Sequence, residues 1–207
     1  MSTNGHNRSP FRDDLAPSGF DSRAQIDVFA NNPDVVVRKI DWLEGSPALQ
    51  AQKLSHYKKL VSDLSVFGIH NSMLMPLMAE ENGAQVAYIL SERIEGQDLL
   101  TEAQAKPDVA TQALRSITSY YQGIIENGGD YVDELRLEQL VDKDGVVFLR
   151  DLDPSVGTYN ADEPSIEDRD NMYSNLELLQ LDAGHLADQQ TIETLEKLKQ
   201  QISPVSA

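Results

Sequence analysis

The chain has 207 residues, 40% hydrophobic and 25% charged, enough for one sizeable core or two small ones. It has no cysteine, which excludes disulfides, cysteine-ligated zinc and thiol chemistry, and it has no apolar run of membrane-span length. The formal net charge of -17 excludes a general nucleic-acid binder, because neutralising phosphates takes clustered Lys and Arg, and any anionic ligand needs a local basic pocket against this field.

The polar start, MSTNGHNRSPFRDD, carries no signal-peptide pattern and is expected to form part of a flexible leader reaching about residue 22. The rest, 23–207, reads as one domain. AQIDVFA alternates with period two, NNPD offers a turn, and the β-branched VVVRKID (35–41) follows, which predicts a β-hairpin. Ser46-Pro47 opens a helix with a cap followed by proline. Its apolar face runs through Leu49, Leu54, Tyr57, Leu60, Val61 and Leu64 and ends near Phe67-Gly68. Two strands are expected around Glu81-Asn82-Gly83. A long helix follows over Pro107–Glu126, with Ala110, Ala113, Leu114, Ile117, Tyr121, Ile124 and Ile125 inward and Asn127-Gly128-Gly129 as its stop.

LEQLVDKDGVVFLRDLDP then reads as a strand, a Lys143-Asp144-Gly145 turn and a second strand ending in Asp151 and Asp153. Two carboxylates that close together repel unless water, donors or a cation lies between them. The stretch from Pro154 to about Asp170 is polar and loop-like, and helices are expected near 171–187 and 191–202. His56, His70 and His185 show no zinc spacing, no serine nucleophile motif is present, and Trp42 is expected at a strand-to-helix corner.

The Asp-Gly turn between short strands that end on Asp151 resembles the metal-binding region of the protein-kinase-like superfamily. Asp151-Leu152-Asp153 stands where the family has Asp-Phe-Gly, so Asp153 departs from glycine. Counting back 18 residues from Asp151 gives Asp133, in Tyr131-Val132-Asp133 directly after the long helix, where the family's catalytic aspartate lies. VVVRK resembles the strand of the phosphate-gripping lysine, here Lys39. YILSERIEG (88–96) resembles the last small-lobe strand and the hinge that holds adenine by backbone bonds, at Glu92 and Ile94.

The resemblance covers roughly residues 25–155 and implies an α+β, two-lobed minimal protein-kinase-like fold. A small antiparallel sheet lobe would span about 23–95 and a reduced helical lobe about 96–207. It implies ATP and Mg2+ as cofactors, with Asp133 and Lys39 catalytic, Lys39, Glu92 and Ile94 on the nucleotide, and Asp151, Glu138 and Asp153 on the metal. Glu138 takes the place of the family's asparagine and is an adequate oxygen donor for magnesium. Other departures are Leu135 where the catalytic loop has a cation, with Arg136 adjacent, and no glycine-rich loop, only Gly19 within SGFDSR. The helix 46–66 has no glutamate for Lys39, only Gln50 or Gln52, and there is no Ala-Pro-Glu motif.

The expected function is a small ATP-dependent phosphotransferase acting on a protein or small-molecule hydroxyl. The alternatives are a pseudokinase used as a binding module, or an unrelated acidic α+β interaction protein. A monomer without nucleic-acid or membrane partners is expected, cytoplasmic or exported into another cell.

Overall fold

The computed structural model describes residues 15–21, 24–29, 32–40, 46–81, 84–150, 156–184 and 186–203. In chain order the elements are β1 (Leu15–Asp21), β2 (Ala24–Phe29), β3 (Asn32–Ile40), α1 (Pro47–Leu64), β4 (Ile69–Asn71), β5 (Met73–Glu81) and β6 (Ala84–Glu92). They continue with α2 (Leu99–Glu102), α3 (Pro107–Asn127), β7 (Gly129–Val132), β8 (Leu140–Lys143), β9 (Val146–Leu149), β10 (Val156–Tyr159), α4 (Ile166–Ala183) and α5 (Gln189–Ile202). This is an α+β chain whose elements follow the order expected from the sequence: a β-branched strand, a helix, two strands, a long helix, a loop and a short hairpin. Among the described residues no helix is long and apolar enough to cross a membrane.

The chain divides into two compact units, Met1–Lys58 with Ser72–Ile94, and Lys59–Asn71 with Glu95–Ala207. The boundaries fall within α1, between Asn71 and Ser72, and between Ile94 and Glu95.

The first unit holds a five-stranded antiparallel sheet in the order β1-β2-β3-β6-β5. The β-branched run Val35–Val37 suits β3 to a flanked position, and Val37 is buried opposite Leu90. Strand β6, flanked by β3 and β5, buries Ala87, Tyr88 and Ile89 in succession, so both of its faces are covered. Beyond the strand ends, the Glu92 amide donates to the Ser72 carbonyl and that of Arg93 to Asp34. One expectation is corrected here. Leu15–Asp21, counted in the leader, forms edge strand β1, and a register shift between Pro17 and Gly19 lets it accommodate residues that strands disfavour.

Helix α1 buries Leu54, Tyr57, Leu60, Val61 and Leu64 as its periodicity predicts. Leu49, assigned to the same face, is 42% exposed, and Gln50 is buried in its stead while Gln52 is exposed.

The second unit is built on α3, whose buried face comprises Ala110, Ala113, Leu114, Ile117, Thr118, Tyr120, Tyr121 and Ile125. Helices α4 and α5 pack on it, and Arg115 Nε holds Asp188 Oδ2 at 2.6 Å where α5 begins. Two small sheets complete the unit. In one, β9 lies between antiparallel β8 and parallel β4. The β8–β9 turn is of the hairpin type with positive φ at both central residues, Asp144 at 55° and Gly145 at 82°. Asp142 Oδ1 accepts from the Gly145 amide at 3.0 Å and fixes that turn.

The other sheet pairs β7 with β10, two strands that the sequence reading left within loops. Helix α4 also starts earlier than expected. Ser165 Oγ accepts from the Asp168 amide, and Asp168 Oδ2 from the Ser165 amide, both at 3.0 Å; this capping box starts the helix at Ile166. Trp42 and His185 lie outside the described residues.

Strand β10 carries Gly157 opposite Tyr131, where a Cβ would collide with the phenol ring. Gly157→Ala is therefore expected to destabilise the chain by about 1–3 kcal/mol, the range for overpacking, and a chemical denaturation curve reads this directly. An unchanged midpoint would mean that the ring has room to yield.

Candidate functional site

The segment from Tyr131 to Gln139 is the most heavily braced in the second unit. Tyr120 and Tyr121 on α3 and Tyr131 on β7 are buried, with ring centroids 5.5 Å apart for the first pair and 6.3 Å for Tyr121 and Tyr131. Tyr120 Oη accepts from the Val132 amide at 2.9 Å. Tyr121 Oη donates to the Val132 carbonyl at 3.1 Å and accepts from the Leu135 amide at 2.9 Å. A single hydroxyl thus grips the backbone on both sides of Asp133 and Glu134.

Between those anchors Glu134 adopts φ 52°, a left-handed conformation that costs a non-glycine residue roughly 1–2 kcal/mol. Asn175 on α4 stabilises it, its Oδ1 accepting from the Glu134 amide at 2.6 Å. The same side chain reaches Asp133, Nδ2 to Oδ1 at 2.7 Å. Asp133 is half-buried at the end of β7, with one carboxylate oxygen held and the other without a hydrogen bond among the described residues. An anchored carboxylate with an open oxygen can orient a hydroxyl and take its proton.

About two turns further along α4, Asp182 secures the rest of the loop. Its carboxylate, 2% exposed, meets Arg136 Nη2 at 2.5 Å and Nε at 3.3 Å, and accepts from the Leu137 amide at 3.1 Å. The pair holds the Arg136 guanidinium more firmly protonated than usual. Gln139 Oε1 accepts from the Arg136 amide at 3.2 Å. Arg136, the cation next to Leu135, is therefore committed to Asp182, and Leu135 itself is core.

Of the expected metal ligands, Glu138 is exposed in the short 3-10 turn Leu137–Gln139, with Oε1 3.5 Å from Arg136 Nη1. Asp151 and Asp153 lie outside the described residues. Among the described residues no three Asp, Glu or His side chains come together to hold a cation. Glu138 faces a guanidinium, so the described residues do not by themselves fit magnesium. Lys39 is described through its backbone, opposite Tyr88 in β3 and two residues beyond buried Val37. Glu92 closes β6, and its amide is engaged by Ser72; Ile94 follows in the first unit, half-buried.

Asp133 was expected from the sequence as a candidate base, and Asn175, which holds it, was not. Asn175 and Asp182 occupy slots in the helical repeat shared by Met172, Leu176, Leu179 and Ala183. Polar residues at apolar-periodic positions were the available signal.

Burial raises the pKa of Tyr121 well above the ordinary 10.0 and raises that of Tyr120 also. Tyr131 is pushed to about 12, first by burial and then by the Asp133 and Asp168 charges. A raised tyrosine pKa gives stability that is complete below the unfolded value near 10 and is lost as pH climbs toward the folded value. For Tyr121 alone each pH unit above the unfolded value removes about 1.4 kcal/mol. Tyrosinate absorbance is expected to rise for these rings only together with loss of circular dichroism, and a rise in the folded state would contradict their burial. Tyr121→Phe orphans a buried carbonyl and a buried amide, so a loss of about 2–4 kcal/mol in urea denaturation is expected.

No family model matches the chain, and no curated protein matches it. Solved structures similar to it are protein kinases. Rad53 residues 1–466 in complex with AMP-PNP is 18% identical at a TM-score of 0.39, over 84% of this chain and 47% of that one. A divergent kinase lacking the glycine-rich loop, which regulates membrane ultrastructure of the Toxoplasma parasitophorous vacuole, is 20% identical at 0.41, over 82% and 61%. The chain spans less than two thirds of the length of either structure.

Proposed function

We propose that the chain is a small ATP-dependent phosphotransferase that moves the γ-phosphoryl group to a hydroxyl of a protein or small molecule. The observation that carries this reading is Asp133: its backbone is clamped, one oxygen is held by Asn175, and the other is open. In this reading Asp133 accepts the hydrogen bond of the acceptor hydroxyl. As the new O–P bond forms and the bond to the β-phosphate oxygen breaks, the hydroxyl proton passes to that open oxygen, and ADP leaves. Lys39 contacts the phosphates, and backbone groups at Glu92 and Ile94 meet the adenine. Asp151 and Asp153 would be the main oxygen donors to Mg2+, with Glu138 joining them only by leaving Arg136, and the ion would neutralise phosphate charge.

A second reading, a binding module of the same fold, is favoured by two features. Helix α1 contains no glutamate, and the loop cation Arg136 is committed to Asp182.

ATP with magnesium at about 100 times its Kd is expected to raise Tm by roughly 5–10 °C. Asp133→Asn should keep that shift while turnover of labelled γ-phosphate falls about 100-fold or more. Asp151→Ala should remove the magnesium dependence. A shift without turnover in the unmodified chain selects the binding module; no shift with ATP, with or without magnesium, sinks the phosphotransferase reading.

A further inference from the structure

We infer that Asn175 is the positioning residue of the site, selecting which oxygen of Asp133 faces the acceptor; this rests on the phosphotransferase reading above. The side chain is 2% exposed and makes three hydrogen bonds whose directions are dictated by chemistry. The Glu134 amide can only donate, so the Asn175 atom 2.6 Å away is the carbonyl oxygen. The Asn171 carbonyl can only accept, so the atom 3.1 Å from it is the amide nitrogen. That nitrogen therefore presents a proton to Asp133 Oδ1 at 2.7 Å.

The Asn175 amide cannot flip without setting carbonyl against carbonyl and amide against amide. Any partial rotation of Asp133 about its terminal torsion surrenders that donor, and a half turn only exchanges its two chemically equivalent oxygens, so the plane of the carboxylate is fixed. Its two oxygens are thereby made unequal: Oδ1 faces α4, and Oδ2 is left for the acceptor hydroxyl.

A residue that only supported the loop would need just the acceptor half of Asn175. Asn175→Asp separates the two roles, because an aspartate still accepts from the Glu134 amide but offers Asp133 a like charge instead of a proton. We expect kcat to fall about 100-fold, the scale of a misplaced catalytic group, with KM for ATP unchanged within about twofold. Tm should drop by roughly 5 °C from the lost bond and the repulsion.

The exchanged pair Asp133→Asn with Asn175→Asp restores donor to acceptor with the chemistry reversed. It should recover the part of the lost Tm that belongs to the pair with residue 133, though not the bond to the Asn171 carbonyl, yet remain inactive, and it serves as well if the single variant does not fold. Wild-type kcat in Asn175→Asp, with turnover still dependent on Asp133, overturns the positioning role alone. Failure of the exchanged pair to recover Tm overturns the pairing. Absence of turnover in the unmodified chain, with Tm recovered by the exchange, overturns the phosphotransferase reading and reduces Asn175 to a structural partner.

Discussion

The hydroxyl of Tyr121 is the constraint from which the aspartate loop takes its shape. It is fully buried, and it donates and accepts at once, joining the carbonyl of Val132 to the amide of Leu135. Leaving either backbone group unpaired in that environment costs about 1–3 kcal/mol, more than the left-handed turn at Glu134 demands. The chain therefore accepts the turn, and the turn brings the Glu134 amide and the Asp133 carboxylate to the same side chain of α4. Burial keeps the phenol protonated, so the donor half of the bridge persists across the ordinary pH range.

Helix α4 combines two tasks on one face. Met172, Leu176, Leu179 and Ala183 supply apolar packing, and Asn175 and Asp182, seven residues apart, supply the polar contacts with the loop. Burying a carboxylate against an arginine offers little net stability, because desolvation offsets most of the Coulomb attraction. Its effect is directional. Arg136 and the Leu137 amide fit Asp182 in one register only, and that register also sets Asn175 against Asp133.

Much of the architecture was legible because its signals are local. Period-two alternation and an Asp-Gly turn mark the β8–β9 hairpin, and a broad apolar stripe closed by glycines marks α3. Strands β7 and β10 were not, since four-residue segments paired across a separation from Val132 to Val156 leave no trace in either one alone. β1 was hidden by Pro17 and Gly19, residues tolerated there because the strand sits at the sheet edge. Asp133 was singled out by its spacing from Asp151 in the sequence. Its partners were not, because an asparagine and an aspartate on a helix look like solvent-facing residues until tertiary packing turns them inward. Arg136 shows the reverse error, a free-looking cation that the fold had already assigned.

The parallel pairing of β4 with β9 bears on how the chain can be cut. Ile69–Asn71 lies beside Val147–Leu149, so the second unit draws part of its sheet from before the first unit's last two strands. A fragment beginning at Glu95 would seem a natural helical module. It would lack β4 and leave one side of β9 with unpaired backbone groups, an edge of the sort that recruits strands from other molecules. The second unit is thus discontinuous in sequence, and β4 must wait for a hairpin that lies about seventy residues further along the chain before it can pair.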